Sequence, residues 1–172
     1  MFVKMKGEIY FLLGLGSFLL AHLCYIAAFF KFPNFKSGII WVNKWMALPF
    51  LIILTSLLCV LWNSLGAFLV PVAIYASVIV TMFAFSFNMR KRVDTTVSKM
   101  LFFGAALFVL SDLIIAMKKF KYPDMGETLS GVAIMVTYLL GQVLLALGMG
   151  KASDDFVEKE GLSSTQIMGS PE

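Results

Sequence analysis

The sequence predicts an all-α, multi-pass transmembrane helix bundle of about five spans. Three observations carry this. Of 172 residues, 60% are hydrophobic and 14% charged, whereas soluble domains are about half apolar and about a quarter charged. Mean hydropathy is +0.89. The apolar residues also come in long blocks rather than amphipathic stripes, each close to the ~20 residues that cross a bilayer. Backbone inside lipid must satisfy its own hydrogen bonds, so each block is read as a helix. No block shows the period-two alternation of a transmembrane barrel.

The first block covers about 8–30. Lys4 and Lys6 precede it as they would precede a secretory signal, but it is too long for one. It also lacks a small-x-small cleavage pattern, so it reads as a retained span. The second and third blocks cover about 45–62 and 65–87, with Pro49 and Pro71 in first turns, where a missing N–H costs least. The fourth and fifth cover about 100–117 and 129–149. Residues 1–150 thus form one membrane domain. Beyond Gly150, KASDDFVEKEGLSSTQIMGSPE is polar and acidic, and 151–172 is predicted to be a disordered tail. Cys24 and Cys59 lie in separate apolar blocks and are expected to be reduced, buried small hydrophobes. No internal repeat supports an inverted-repeat transporter.

Basic residues set the expected orientation. One face carries five: Lys4, Lys6, Lys118, Lys119 and Lys121. The other carries nine: Lys31, Lys36, Lys44, Arg90, Lys91, Arg92, Lys99, Lys151 and Lys159. The richer face is expected to be cytoplasmic, which puts the C-terminus in the cytosol and residue 1 outside. The net charge of +4 is then a topological signal and no evidence for a nucleic-acid partner. Arg90, Lys91 and Arg92 have a second use in touching anionic lipid headgroups.

Polar residues inside the spans are the candidates for function. Asp112, within GAALFVLSDLIIAMKKFKYP, is the strongest, because an ionised carboxylate in hydrocarbon needs a partner, a water-filled cavity or a proton. Gly104 and Phe108 share its helix face, and Lys119, two turns on near the water boundary, is a poor direct partner. A buried carboxyl there favours its neutral, proton-donating form. In FLLGLGSFLLAHLCYIAAFF, Gly14, Phe18, His22 and Tyr25 fall on one face. His22, the single histidine, reads first as interhelical hydrogen-bond glue and second as a group for chemistry. Tyr138 and Gln142, four apart, leave the same two readings open. Ser86 and Asn88 close the third span near the interface and call for no special explanation. One cavity through the midplane accounts for His22, Asp112, Tyr138 and Gln142, and so do separate structural contacts. One histidine and two dispersed cysteines assemble no metal site, and no cofactor is expected.

Three stretches carry a resemblance to a known family. YFLLGLGSFLLAHLCYIAAFF is similar to an aromatic–x–x–x–Gly, Phe, His, Tyr span. GAALFVLSDLIIAMKKFKYP is similar to a Gly–Ala–x–x–Phe–x–x–Ser–Asp span ending in Lys-Phe, and VTYLLGQVLLALG to a Tyr–x–x–x–Gln span. In this order they resemble the lysoplasmalogenase family of YhhN-like multi-pass membrane proteins. The resemblance implies hydrolysis of the vinyl ether bond of lysoplasmalogens, giving a fatty aldehyde and a glycerophospho-head. It implies Asp112 as acid/base with His22 at the catalytic centre, and Tyr25, Tyr138 and Gln142 as substrate-binding groups. It also implies the endoplasmic reticulum membrane and contact with membrane lipids.

The sequence departs from that family in two places. Relatives usually have further spans ahead of the His-bearing one, among them a Gly-Asp element with a second intramembrane carboxylate. An N-terminally truncated member is therefore expected. Lys118 stands where relatives often carry an acidic residue. The competing reading is a non-catalytic membrane protein that binds single-chain lipids. Alternatively it assembles, as a homo-oligomer or with a full-length relative, and modulates that relative.

Overall fold

The computed structural model describes residues 2–33 and 35–168. Helices follow in the order α1 (Phe2–Lys31), α2 (Ile39–Val42), α3 (Leu48–Leu65), α4 (Leu69–Asn88), α5 (Thr95–Ala116) and α6 (Glu127–Met168). Among the described residues there is no strand. The expected all-α bundle is observed, and its five long helices match the five apolar blocks. Four stretches are long and apolar enough to cross a membrane, and one of them, Lys44–Asn88, holds both α3 and α4. That stretch folds back on itself at Gly66, whose φ of 49° lies in the left-handed region open to glycine. The hairpin is closed at its far end, where the Phe50 ring meets those of Phe83 and Phe87 at 5.1 and 5.7 Å.

α4 is the central helix, lying against α1, α3 and α5. Its apolar residues run all round it, as in a helix covered on several sides, and it buries Val72, Tyr75, Ala76, Ile79, Val80, Met82 and Phe83. α5 and α6 form the most extensive contact. Their backbones come close because glycines face each other. A Cβ at Gly104 would stand 2.9 Å from the backbone nitrogen of Leu145, and one at Gly141 3.0 Å from the carbonyl oxygen of Gly104. Lipid gives no hydrophobic drive between spans, so such small-residue seams supply the van der Waals contact that holds them.

Between α1 and α3 the chain makes a compact connector containing α2. Asn88, at the end of α4, clasps it. Its Nδ2 donates to the Phe35 carbonyl, and its Oδ1 accepts from the Ile40 N–H, both at 2.9 Å. Asn88 is therefore buried, in contrast to the unremarked interfacial role its position suggests. Arg92 adds a hydrogen bond to the Ser37 carbonyl.

Two further expectations differ from the structure. Cys24 and Cys59 are unpaired but exposed on outer helix faces. In a bilayer the apolar surface of a span faces lipid, so an apolar neighbourhood in sequence does not imply protein burial. α6 also runs on through the segment expected to be a disordered tail. Extending an existing helix avoids the nucleation step, Ala152 is buried, and the Phe156 ring packs 5.3 Å from that of Phe32. Residues 169–172 of that tail lie outside the described residues.

Candidate functional site

The N-terminal halves of α1 and α4 and the C-terminal half of α5 enclose a cleft of about 170 Å³. α5 passes into a π-helical turn, Met117–Lys121, and Phe120 in that turn closes one wall. The remaining walls are mostly apolar, built from Phe11, Leu15, Phe18, Val72, Ile115 and Ala116, with Gly14 leaving space on α1. The polar groups among them are Asp112 and the hydroxyls of Tyr10 and Tyr75. Tyr75 is buried on α4, and its hydroxyl donates a hydrogen bond to Oδ2 of Asp112. Asp112 therefore borders a cavity and has a fixed partner.

Tyr75 is not among the residues that the sequence marks as candidates. An aromatic in an apolar run reads as core, yet a buried tyrosine hydroxyl needs a partner. Asp112, an acidic residue deep within a span, is an available acceptor, and that need is the signal in the sequence.

His22 is fully buried beside this pair. Its ring meets Tyr75 edge-on at 5.7 Å and Phe108 at 4.9 Å. The contact of Nδ1 with the Phe18 carbonyl identifies Nδ1 as the protonated nitrogen. Nε2 is then an acceptor, buried and without a protein partner among the described residues, as is Oγ of Ser111. His22 reaches Asp112 through Tyr75 rather than through the cleft, whose lining does not include it.

Tyr25, Tyr138 and Gln142 form a second polar group. Tyr25 donates to Oε1 of Gln142 at 2.8 Å, and Nε2 of Gln142 lies 3.2 Å from the Tyr138 hydroxyl. The first bond crosses from α1 to α6, and the second lies within α6. The rings of Phe18 and Phe108 pack on Tyr138 at 5.6 and 5.3 Å, and Phe108 also packs on His22. An aromatic layer thus lies between the Tyr25–Gln142–Tyr138 chain and the Tyr75–Asp112 pair. None of Tyr25, Tyr138 and Gln142 lines the cleft.

Beyond Phe11 and Ile115 the cleft wall continues into an open hollow lined by Lys118, Lys119 and Pro123. Lys119 Nζ lies 5.2 Å from the centre of the Phe11 ring. The cleft thus sets a carboxyl among apolar walls close to a rim that carries two lysines. Among the described residues no three His, Cys, Asp or Glu side chains are grouped closely enough to hold a metal ion.

The model of the YhhN family matches residues 2–149. No curated protein and no solved structure matches the chain.

Proposed function

Because the chain belongs to the YhhN family, we propose that it hydrolyses the vinyl ether bond of lysoplasmalogens at Asp112, releasing a fatty aldehyde and a glycerophospho-head. The observation that carries the reading is the Asp112 carboxyl, bordering an apolar cleft and held by the Tyr75 hydroxyl. An ionised carboxylate in such surroundings needs a partner, which the Tyr75 hydroxyl supplies, and the proposed reaction starts from the protonated carboxyl. A vinyl ether reacts through protonation of carbon, and a neutral carboxylic acid is suited to that task.

Asp112 gives its proton to the alkene carbon remote from oxygen, leaving an oxocarbenium ion. The Tyr75 hydroxyl stabilises the carboxylate thus formed. Water adds to the carbon next to oxygen and returns a proton to Asp112. The hemiacetal then collapses to the aldehyde and the free glycerol hydroxyl. One water is consumed and one C–O bond broken.

The apolar walls suit the single hydrocarbon chain. Lys118 and Lys119 lie six and seven residues beyond Asp112, about 9–10.5 Å along a helix at ~1.5 Å per residue. Seven bonds separate the protonated carbon from the phosphorus in an extended substrate. At the ~1.2 Å per bond of an extended chain this is roughly 8 Å, so the phosphate falls beside the lysines. His22 supports the ring of Tyr75. The Tyr25–Gln142–Tyr138 chain, by this reading, fixes α1 on α6 and so sets the cleft width. The nine-to-five distribution of basic residues supports a cytosolic C-terminal end, and family resemblance supports the endoplasmic reticulum membrane.

The test is aldehyde release from lysoplasmenylcholine by the purified full chain in detergent. Wild type releases aldehyde, and Asp112→Asn falls to background, a loss of about 100-fold or more. Equal rates for the two proteins would remove Asp112 from the mechanism. Lipid retention without aldehyde from wild type would favour the non-catalytic, lipid-binding reading.

A further inference from the structure

The end of α4 and the start of α5, at the opposite end of the bundle from the Asp112 cleft, enclose a separate hollow of about 410 Å³. Its lining includes Arg90, Lys91 and Lys99, with the hydroxyls of Thr95 and Ser98 between them. The rings of Phe87, Phe102 and Phe103 and the side chain of Val93 complete it. We propose that this hollow binds the phosphate of an anionic membrane phospholipid, with Arg90, Lys91 and Lys99 as its cations.

Three observations lead there. The charge in the hollow has one sign, because no carboxylate lines it. Asp94, in the adjoining turn, is occupied as the N-cap of α5, accepting the Thr96 N–H at 2.8 Å. That bond holds its carboxyl below the usual carboxylate range. Arg92, the other cation of the turn, is engaged with the Ser37 carbonyl, whereas the Arg90 guanidinium lies over the Phe87 ring at 5.9 Å.

The second observation is backbone strain. Lys91 has φ 69°, the one non-glycine residue with positive φ among those described. An L-residue enters that region at a cost that glycine escapes, and strain of this kind clusters at ligand clamps. Here it places a lysine at the rim of the hollow.

The third observation identifies the source of the phosphate. Phe103 is 56% exposed on the outer face of α5, so the aromatic wall continues onto the surface that faces lipid. A free phosphate has no use for it, whereas acyl chains run along it. Basic pockets between spans are recognised sites for anionic headgroups.

The experiment measures lipid retained by the full chain, extracted from membranes containing phosphatidylglycerol and phosphatidylcholine, using native mass spectrometry. Wild type retains phosphatidylglycerol in preference. Lys91→Gly retains about fivefold less and stays folded, since glycine suits the backbone at that position. Lys99→Gln behaves likewise. Lys44→Gln, a basic residue outside the hollow, retains the wild-type amount. Undiminished retention by both Lys91→Gly and Lys99→Gln would overturn the proposal. An equal fall in Lys44→Gln would also overturn it, by showing diffuse attraction to the basic face. Displacement of the lipid by millimolar glycerol phosphate would reassign the hollow to a soluble phosphate.

Discussion

Tyr75 holds the Asp112 carboxyl in place with one hydrogen bond, and removing that bond tests whether it matters. In the proposed reaction the carboxyl becomes a carboxylate after giving up its proton, and a donated hydrogen bond is stronger to the charged form. Tyr75→Phe keeps the ring contact with His22 and deletes the hydroxyl. A bond to a charged group contributes about 1.5–3 kcal/mol, so kcat is expected to fall about 10- to 100-fold. KM stays near wild type, because the bond strengthens after the substrate is bound. Steady-state aldehyde release separates the two constants; a change confined to KM would make Tyr75 a binding group. Asp112 itself was legible in the sequence because a carboxylate in an apolar run is costly and therefore conspicuous. Its partner was not, since one tyrosine among many aromatics carries no such mark. Nor could the i, i+4 spacing of Tyr138 and Gln142 say which helix they would meet, and Tyr25 on α1 supplies the answer.

The connector between α1 and α3 depends on Asn88 in the same way that the cleft depends on Tyr75. A buried amide that satisfies two backbone groups 48 and 53 residues away fixes α2 against the end of α4. Asn88→Ala leaves the Phe35 carbonyl and the Ile40 N–H without partners and is expected to cost about 2–4 kcal/mol. Asn88→Asp still accepts from Ile40 but loses the donor to Phe35, and should fall between the two. Thermal unfolding in detergent gives the order wild type, Asp, Ala; an Ala variant as stable as wild type would show that water replaces the clasp. At this level the sequence located the long helices because each block is about one bilayer thick. It did not foresee α2, which is one turn long and held by a tertiary contact. It also missed the extension of α6, which rests on contacts such as Phe156 with Phe32 rather than on composition.

The molecule as a whole exposes more apolar side chains than a soluble protein tolerates, Leu129 at 80% and Val70 at 65% among them. α1 touches the bundle mainly through α4, so much of its surface has lipid as its only neighbour. The same composition that announced a membrane protein therefore left the inner and outer faces of each span indistinguishable. Leucines serve equally well on both, and this is why Cys24 and Cys59 were placed inside. Their exposure makes them reporters of the surrounding solvent. In open membranes, where both aqueous faces can be reached, a charged maleimide requires a thiolate in water, and hydrocarbon supplies neither. Cys24 and Cys59 are expected to stay unlabelled until the membrane is dissolved in denaturing detergent. Ser37→Cys, in the exposed connector, labels at once in the same membranes. Cys24 and Cys59 lie on different helices, α1 and α3, so protection of both requires lipid around the bundle. Labelling of either at the rate of Cys introduced at position 37 would place that helix face in water, and the corresponding span would have to be withdrawn.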